Sequence, residues 1–180
     1  MADPDKLALL RAYVNEGGKL YITDLSYDFV EQAFPEYIDF LGSDDVLETM
    51  PEWADEAEWG TGGITSNATV NDSQLTSWLN NVTCEGGSCR NSDGTVRVTG
   101  FADGWGVMNG IHTGAAASTK GWVTGPVGWG FDESGNKPLT ILFNHGAGKV
   151  LYSSYHVVTE SPSSGFWPQE RILQYFIFEM

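Results

Sequence analysis

The chain is short of positive charge. Nine Lys and Arg stand against 24 Asp and Glu in 180 residues, a formal net charge of −15. A field of that sign repels phosphate backbones and anionic membrane surfaces, which argues against nucleic-acid and membrane-surface binding. It suits cations, solubility or a salty medium, and a solvated acidic surface is its plainest reading. No apolar run reaches the roughly 18 residues that a membrane-crossing helix requires. The opening residues, Met1-Ala-Asp-Pro-Asp-Lys6, lack the basic and apolar blocks of a signal peptide. The expectation is that an export signal has been removed or that the chain is a domain of a longer protein.

Cysteine is nearly absent. Cys84 and Cys89 enclose Glu85-Gly86-Gly87-Ser88, a spacer whose glycines let a turn bring the two thiols together. A local disulfide is expected over free thiols, and it points to an extracytoplasmic, secreted or periplasmic setting. A cysteine zinc site needs four ligands, and no neighbouring histidine completes one. No Gly-X-Ser-X-Gly elbow occurs and no cysteine sits beside a base, which argues against glutaminase-type amide transfer. Gly125-Pro-Val-Gly128 and Gly146-Ala-Gly148 match neither a P-loop nor a dinucleotide fingerprint. Asn67, Asn71 and Asn81 each open an Asn-X-Ser/Thr triplet, but in a stretch so rich in those residues the triplets carry no weight.

What is abundant is core material and turns. Apolar residues form 41% of the chain and aromatic residues 13%, with 22 glycines, enough for one domain over 1–180 with a real core. Asp3 caps and Pro4 starts a helix with Leu7, Leu10, Tyr13 and Val14 at helical spacing, stopped at Gly17. Lys19 to Thr23 reads as a buried strand. Ser26 is placed to cap a helix carrying Phe29, Val30 and Phe34, and Tyr37 to Leu41 to add a turn. Strands are expected at Ile64–Val70, Thr95–Thr99, Gly121–Thr124, Val127–Phe131, Leu139–Phe143 and Val150–Tyr155. The last two form a hairpin across His145–Gly148, and Asp132 to Lys137 reads as a turn. Asp72 caps a short helix with Leu75, Trp78 and Leu79. Pro168 starts a final helix whose Ile172, Leu173, Phe176 and Ile177 face inward.

Two segments carry the functional lead. Lys19-Leu-Tyr-Ile-Thr-Asp24 is a strand ending in a carboxylate; Lys149-Val-Leu-Tyr-Ser-Ser-Tyr-His156 is a strand ending in a histidine, with Glu160 four residues on. Polar groups at the carboxyl ends of adjacent parallel strands share one rim, where ligands of α/β sheets bind. Asp24, His156 and Glu160 would make a mixed N/O site for zinc, calcium or manganese, or a catalytic set that activates water. The simpler alternative, favoured here, is that Asp24 caps the next helix and His156 bonds a loop. His145 ends the antiparallel partner strand, so it falls at the opposite rim, roughly 20 Å away at about 3.3 Å per residue. His112, in a Gly/Ala-rich stretch, is a further candidate ligand. The carboxylates between Asp44 and Glu58 fit no EF-hand spacing and read as an exposed acidic loop. Trp105, Trp129, Trp167 and Tyr27 are candidate stacking residues for a carbohydrate or small molecule, although core packing is the commoner fate of such rings.

The motifs Leu10-Arg-Ala-Tyr-Val-Asn-Glu-Gly-Gly-Lys-Leu-Tyr-Ile-Thr-Asp24 and Gly148-Lys-Val-Leu-Tyr-Ser-Ser-Tyr-His156 resemble the class I glutamine amidotransferase-like superfamily, in its trehalose-utilisation-like branch. The resemblance covers about a quarter of the chain. It implies a mixed β-sheet flanked by helices, a partial flavodoxin-like three-layer sandwich with a C-terminal β-hairpin. Active members use a cysteine nucleophile with a histidine and a glutamate; His156 and Glu160 fall near the latter two, and the cysteine is missing. The family places several strands before its equivalent of the first helix here. The resemblance therefore implies an open sheet edge available for self-association. The expected role is a non-catalytic or weakly catalytic ligand-binding or interaction domain of a secreted bacterial protein, with a small molecule or carbohydrate as ligand. The alternative is a metal-dependent hydrolase using Asp24, His156 and Glu160.

Overall fold

A computed structural model describes residues 3–42, 57–157 and 165–179. Helix α1 spans Pro4–Asn15, with the Asp3 carboxylate accepting from the Asp5 amide at its start. It ends where Gly17 adopts φ +106°, a left-handed stop that residues with a Cβ resist. The chain then reverses into β1 (Lys19–Thr23), makes a 3-10 turn at Asp24–Ser26 and a four-residue α2 (Asp28–Glu31), and forms β2 (Ile38–Phe40). Next come β3 (Ser66–Val70), α3 (Ser73–Asn81), β4 (Thr83–Cys84), β5 (Gly87–Ser88), β6 (Val96–Val98) and β7 (Met108–Ile111). Two long strands follow, β8 (Thr119–Trp129) and β9 (Glu133–His145), then β10 (Gly148–Ser153) and α4 (Pro168–Glu179).

The main sheet runs β1-β10-β9-β8-β3-β6, and β2–β7 and β4–β5 form two small pairs. β1 lies parallel to β10, with Lys19 opposite Lys149 and Thr23 opposite Ser153. The remaining pairings of the main sheet are antiparallel. β10 is buried on both sides. Val150 and Tyr152 belong to a core with Val14, Val30 and Phe34 from the α1–α2 side, whereas Leu151 joins Leu75, Leu79, Ile172 and Phe176 from α3 and α4. Since successive strand residues point to opposite faces, helices cover the sheet on both sides. The fold is mixed α/β, a sheet flanked by helices.

Several expectations shift in detail. The two weak strands after Gly121 are one continuous β8, and Glu133–Lys137, expected as a turn, is the start of β9. Pairing across the long hairpin overrides the Gly, Ser and Asn content that reads locally as turn. Tyr37–Leu41 gives strand β2 rather than a helical turn, because Ile38 and Phe40 pair with β7 and bury the same face. α2 starts after Tyr27 with no side-chain cap, and Phe29 is 54% exposed. In α4, Ile172 and Phe176 are buried while Ile177 is 65% exposed. The acidic stretch from Asp44 lies outside the described residues except for Ala57 and Glu58.

Cys84 and Cys89 are disulfide-bonded within the β4–β5 turn. Among the described residues no helix is long and apolar enough to cross a membrane. Trp105, a candidate stacking residue for which core packing was the commoner expectation, is the largest fully buried side chain among the described residues, with its indole N–H donating to the Thr61 carbonyl at 3.2 Å. A Cβ on Gly60 would sit 1.9 Å from this ring, so glycine is required for the approach. Trp105→Ala is expected to cost about 3–5 kcal/mol through the cavity it leaves, read as a lowered urea midpoint. Loss of under 1 kcal/mol would place the ring outside the core.

Candidate functional site

The parallel pairing of β1 with β10 decides the site. Both strands end at the same rim, so Asp24, one residue past β1, meets His156, three residues past β10. The His156 Nδ1 lies 3.0 Å from Asp24 Oδ2. With the carboxylate accepting from Nδ1–H, Nε2 is the ring nitrogen not engaged by Asp24. The Asp24 side chain is 8% exposed and that of His156 35%, so the pair forms a buried acid beneath a partly open ring.

Asp24 is held from several directions. It has φ +49°, the one positive φ outside glycine among the described residues. Aspartate tolerates this left-handed region better than most side chains, at a cost on the order of 1 kcal/mol. Its carbonyl accepts from the Tyr152 hydroxyl at 3.1 Å, and its Oδ1 accepts from the Ala102 amide at 3.3 Å. Burial pushes its pKa up, against the opposing pulls of His156, the Ala102 amide and Thr23. His156 is seated through its backbone: its amide donates to the Gly100 carbonyl at 3.0 Å. Gly100, at φ +81°, leaves room that a Cβ would close to 2.6 Å from the His156 carbonyl.

Behind the pair lies a hydroxyl network that the sequence did not single out. Tyr21 and Ser153 are 3.2 Å apart, Ser153 donates to the Tyr155 carbonyl at 2.6 Å, and the Tyr155 and Thr140 hydroxyls are 2.6 Å apart. Burial raises the Tyr21, Tyr152 and Tyr155 hydroxyls above their ordinary range, so all three stay protonated at neutral pH. The signal available in the sequence was a polar side chain in each strand at neighbouring register, Tyr21 and Ser153. Among the described residues none of these hydroxyls is bonded to His156, so none is placed as its nucleophile.

The remaining candidates disperse. Glu160 lies outside the described residues. His145 is at the start of the β9–β10 turn, opposite Gly148, and accepts or donates at Nδ1 with the Tyr37 hydroxyl at 2.9 Å. It is therefore at the far rim, as strand length required. His112 donates its amide to the Tyr37 carbonyl at 3.2 Å and so lies on the His145 side. Tyr27 is buried against Phe40, and Trp105 is inside the core, so neither ring faces solvent. Trp129 and Trp167 are half-buried. Trp129 sits in the β8–β9 hairpin with the Lys137 ammonium 4.9 Å from its ring centre, and Trp167 precedes α4. The four rings do not form one platform.

Among the described residues no group of three His, Cys, Asp or Glu side chains converges to hold a metal. Asp24 and His156 spend Oδ2 and Nδ1 on each other, which makes the acid an orienting group for the ring rather than a ligand beside it. Next to the rim, a groove of about 780 Å³ opens along β1, lined by Leu7 and Leu10 of α1, by Leu20, Tyr21 and Thr23, and by Phe29 of α2.

No protein-family model and no curated protein matches the chain. Among solved structures, it is similar to a cytoplasmic protein from Salmonella typhimurium LT2, with 15% identity and a TM-score of 0.42 over 96% of this chain and 55% of that one. It is also similar to a β-galactosidase from Rahnella sp. R3, with 13% identity and a TM-score of 0.46 over 97% of this chain and 20% of that one. The chain thus spans about half of the first protein and a fifth of the second, and likenesses this distant carry no argument about function.

Folding lifts the Asp24 carboxyl above its ordinary value of 3.8, so the folded chain binds that proton more tightly than the unfolded chain does. Stability attributable to Asp24 is therefore greatest at acid pH and falls as pH rises through this window. As pH rises through and above the ordinary carboxyl range, the wild-type chain is expected to lose stability relative to Asp24→Asn, measured by urea unfolding at each pH. A gain over the same span would contradict the buried placement of the acid.

Proposed function

We propose that this is a non-catalytic or weakly catalytic binding and interaction domain of a secreted bacterial protein, with its ligand seated at the shared rim of β1 and β10. The reading rests on two features that meet at the carboxyl end of β1: the His156 ring held by Asp24, one residue past the strand, and a groove along the strand whose lining includes Tyr21, Thr23 and Phe29. The groove joins apolar walls to a few polar side chains, among them Thr23 and Ser26, the usual composition of a small-molecule pocket. A carbohydrate or another small polar molecule with a hydroxyl donor suits it. The disulfide supports an extracytoplasmic home. Kinship with the amidotransferase-like superfamily belongs to the same proposal, supported by the helix, strand and histidine order around the parallel pair.

One observation favours a second reading. A histidine fixed by a buried carboxylate is the arrangement of a general base, and a strained residue beside it is common where chemistry occurs. In that reading the chain is a hydrolase in which Asp24 orients His156 and His156 takes a proton from water. A divalent ion would require Glu160 and further groups with His156.

Amide shifts on titration with a panel of mono- and disaccharides distinguish the two. The binding reading expects perturbation at Thr23, Ala102 and His156, weakened at least tenfold by His156→Ala, with no turnover of glycosides or esters. Turnover that His156→Ala abolishes while the fold stays intact would replace it with the hydrolase. Perturbation confined to Trp129 and Trp167 would move the ligand away from the rim.

A further inference from the structure

We infer that the free edge of β1 receives an extended, basic polypeptide segment of another protein as an added strand. The inference rests on reading the rim and its groove as a binding site, and it specifies the class of partner. In a parallel ladder alternate residues direct their amide and carbonyl to the same side. The Gly18 carbonyl accepts from the Lys149 amide at 3.1 Å, so Leu20 and Ile22 in turn direct theirs toward β10. Tyr21 and Thr23 therefore turn their amides to the opposite side, where no described strand pairs with β1. The Tyr13 hydroxyl, donating to the Lys19 carbonyl at 3.3 Å, confirms which way the odd-numbered residues point.

This edge is poorly defended. Natural sheet edges are blunted by charge, proline, a bulge or a covering element. β1 carries one charged residue, Lys19 at its first position, and no proline. Alongside it lies the groove, walled by Leu7 and Leu10 on one flank and Phe29 on the other. A row of backbone donors beside an apolar trough fits an extended chain: its backbone meets Tyr21 and Thr23, and every second side chain enters the trough. Charge sets the identity of that chain. A second copy would bring another −15 to the contact, whereas a basic segment is drawn in by the same field. The groove's own charged lining is Asp3, Lys6 and Asp28, with the Lys6 ammonium 3.8 Å from the Asp3 carboxylate, so the attraction comes from the field of the whole chain.

The test uses hydrogen exchange, read residue by residue on the whole chain, with an eight-residue peptide of alternating valine and lysine as probe. An alternating valine and glutamate peptide is the control. The basic peptide is expected to slow exchange at the Tyr21 and Thr23 amides at least tenfold, and its affinity to weaken as salt rises. Tyr21→Pro should lower its affinity at least tenfold; because that amide points away from β10, the ladder survives. Phe29→Ala, at an exposed wall, should weaken it several-fold without risk to the fold. No protection at ~1 mM peptide, or protection at the β6 edge instead, would overturn the inference. So would equal protection by the acidic peptide, or protection without peptide accompanied by a dimer in sedimentation, which would make the occupant a second copy. The rim reading is scored separately, at Ala102 and His156 with small ligands, so each can fail alone.

Discussion

The parallel pairing of β1 with β10 is the constraint on which the rest of the molecule depends. Five register pairs, from Lys19–Lys149 to Thr23–Ser153, join segments about 130 residues apart. An antiparallel arrangement would have sent Asp24 to the rim that His145 occupies. The parallel one brings an acid and an imidazole within hydrogen-bond distance without any local sequence relation between them. It also fixes which side of β1 is left open, because the same alternation that bonds Leu20 and Ile22 to β10 turns Tyr21 and Thr23 outward.

The price of this arrangement is local. Asp24 takes a left-handed backbone and a buried carboxylate, both unfavourable alone. The hydroxyl of Tyr152, the amide of Ala102 and the ring of His156 offset them. Gly100 admits the His156 carbonyl only because it has no side chain. The pair and the residues that hold it come from three separate parts of the chain, around Asp24, Gly100–Ala102 and Tyr152–His156, so the site exists only in the assembled fold. That is why the pair is a sensitive reporter of tertiary structure, whatever its ligand.

Much of the framework was legible in the sequence, and the reasons are physical. The caps at Asp3 and Asp72, the stop at Gly17, the β9–β10 hairpin and the Cys84–Cys89 turn rest on local chemistry that neighbours do not override. The rim positions of Asp24, His156 and His145 followed from strand direction alone. The aromatic rings were harder. Trp105 sits among glycines, a context that reads as a surface loop, yet Gly60 and Phe101 close over it. Tyr27 is buried by Phe40 and by the close approach of Gly106, which no spacing rule reveals. The tyrosine and serine network escaped notice because it links side chains through the strand register, and register becomes visible only once the sheet is built. The length of β8 and β9 was hidden for the opposite reason: their tips are polar and glycine-rich, and pairing alone makes them strands.

The most direct test is a through-hydrogen-bond NMR correlation between the Gly18 carbonyl carbon and the Lys149 amide nitrogen. The account predicts a resolved cross-peak for that pair, together with short proton distances between Thr23 and Ser153. Short distances from Thr23 to Lys149 instead, with no Gly18–Lys149 correlation, would mean an antiparallel pair, and the Asp24–His156 site would not exist.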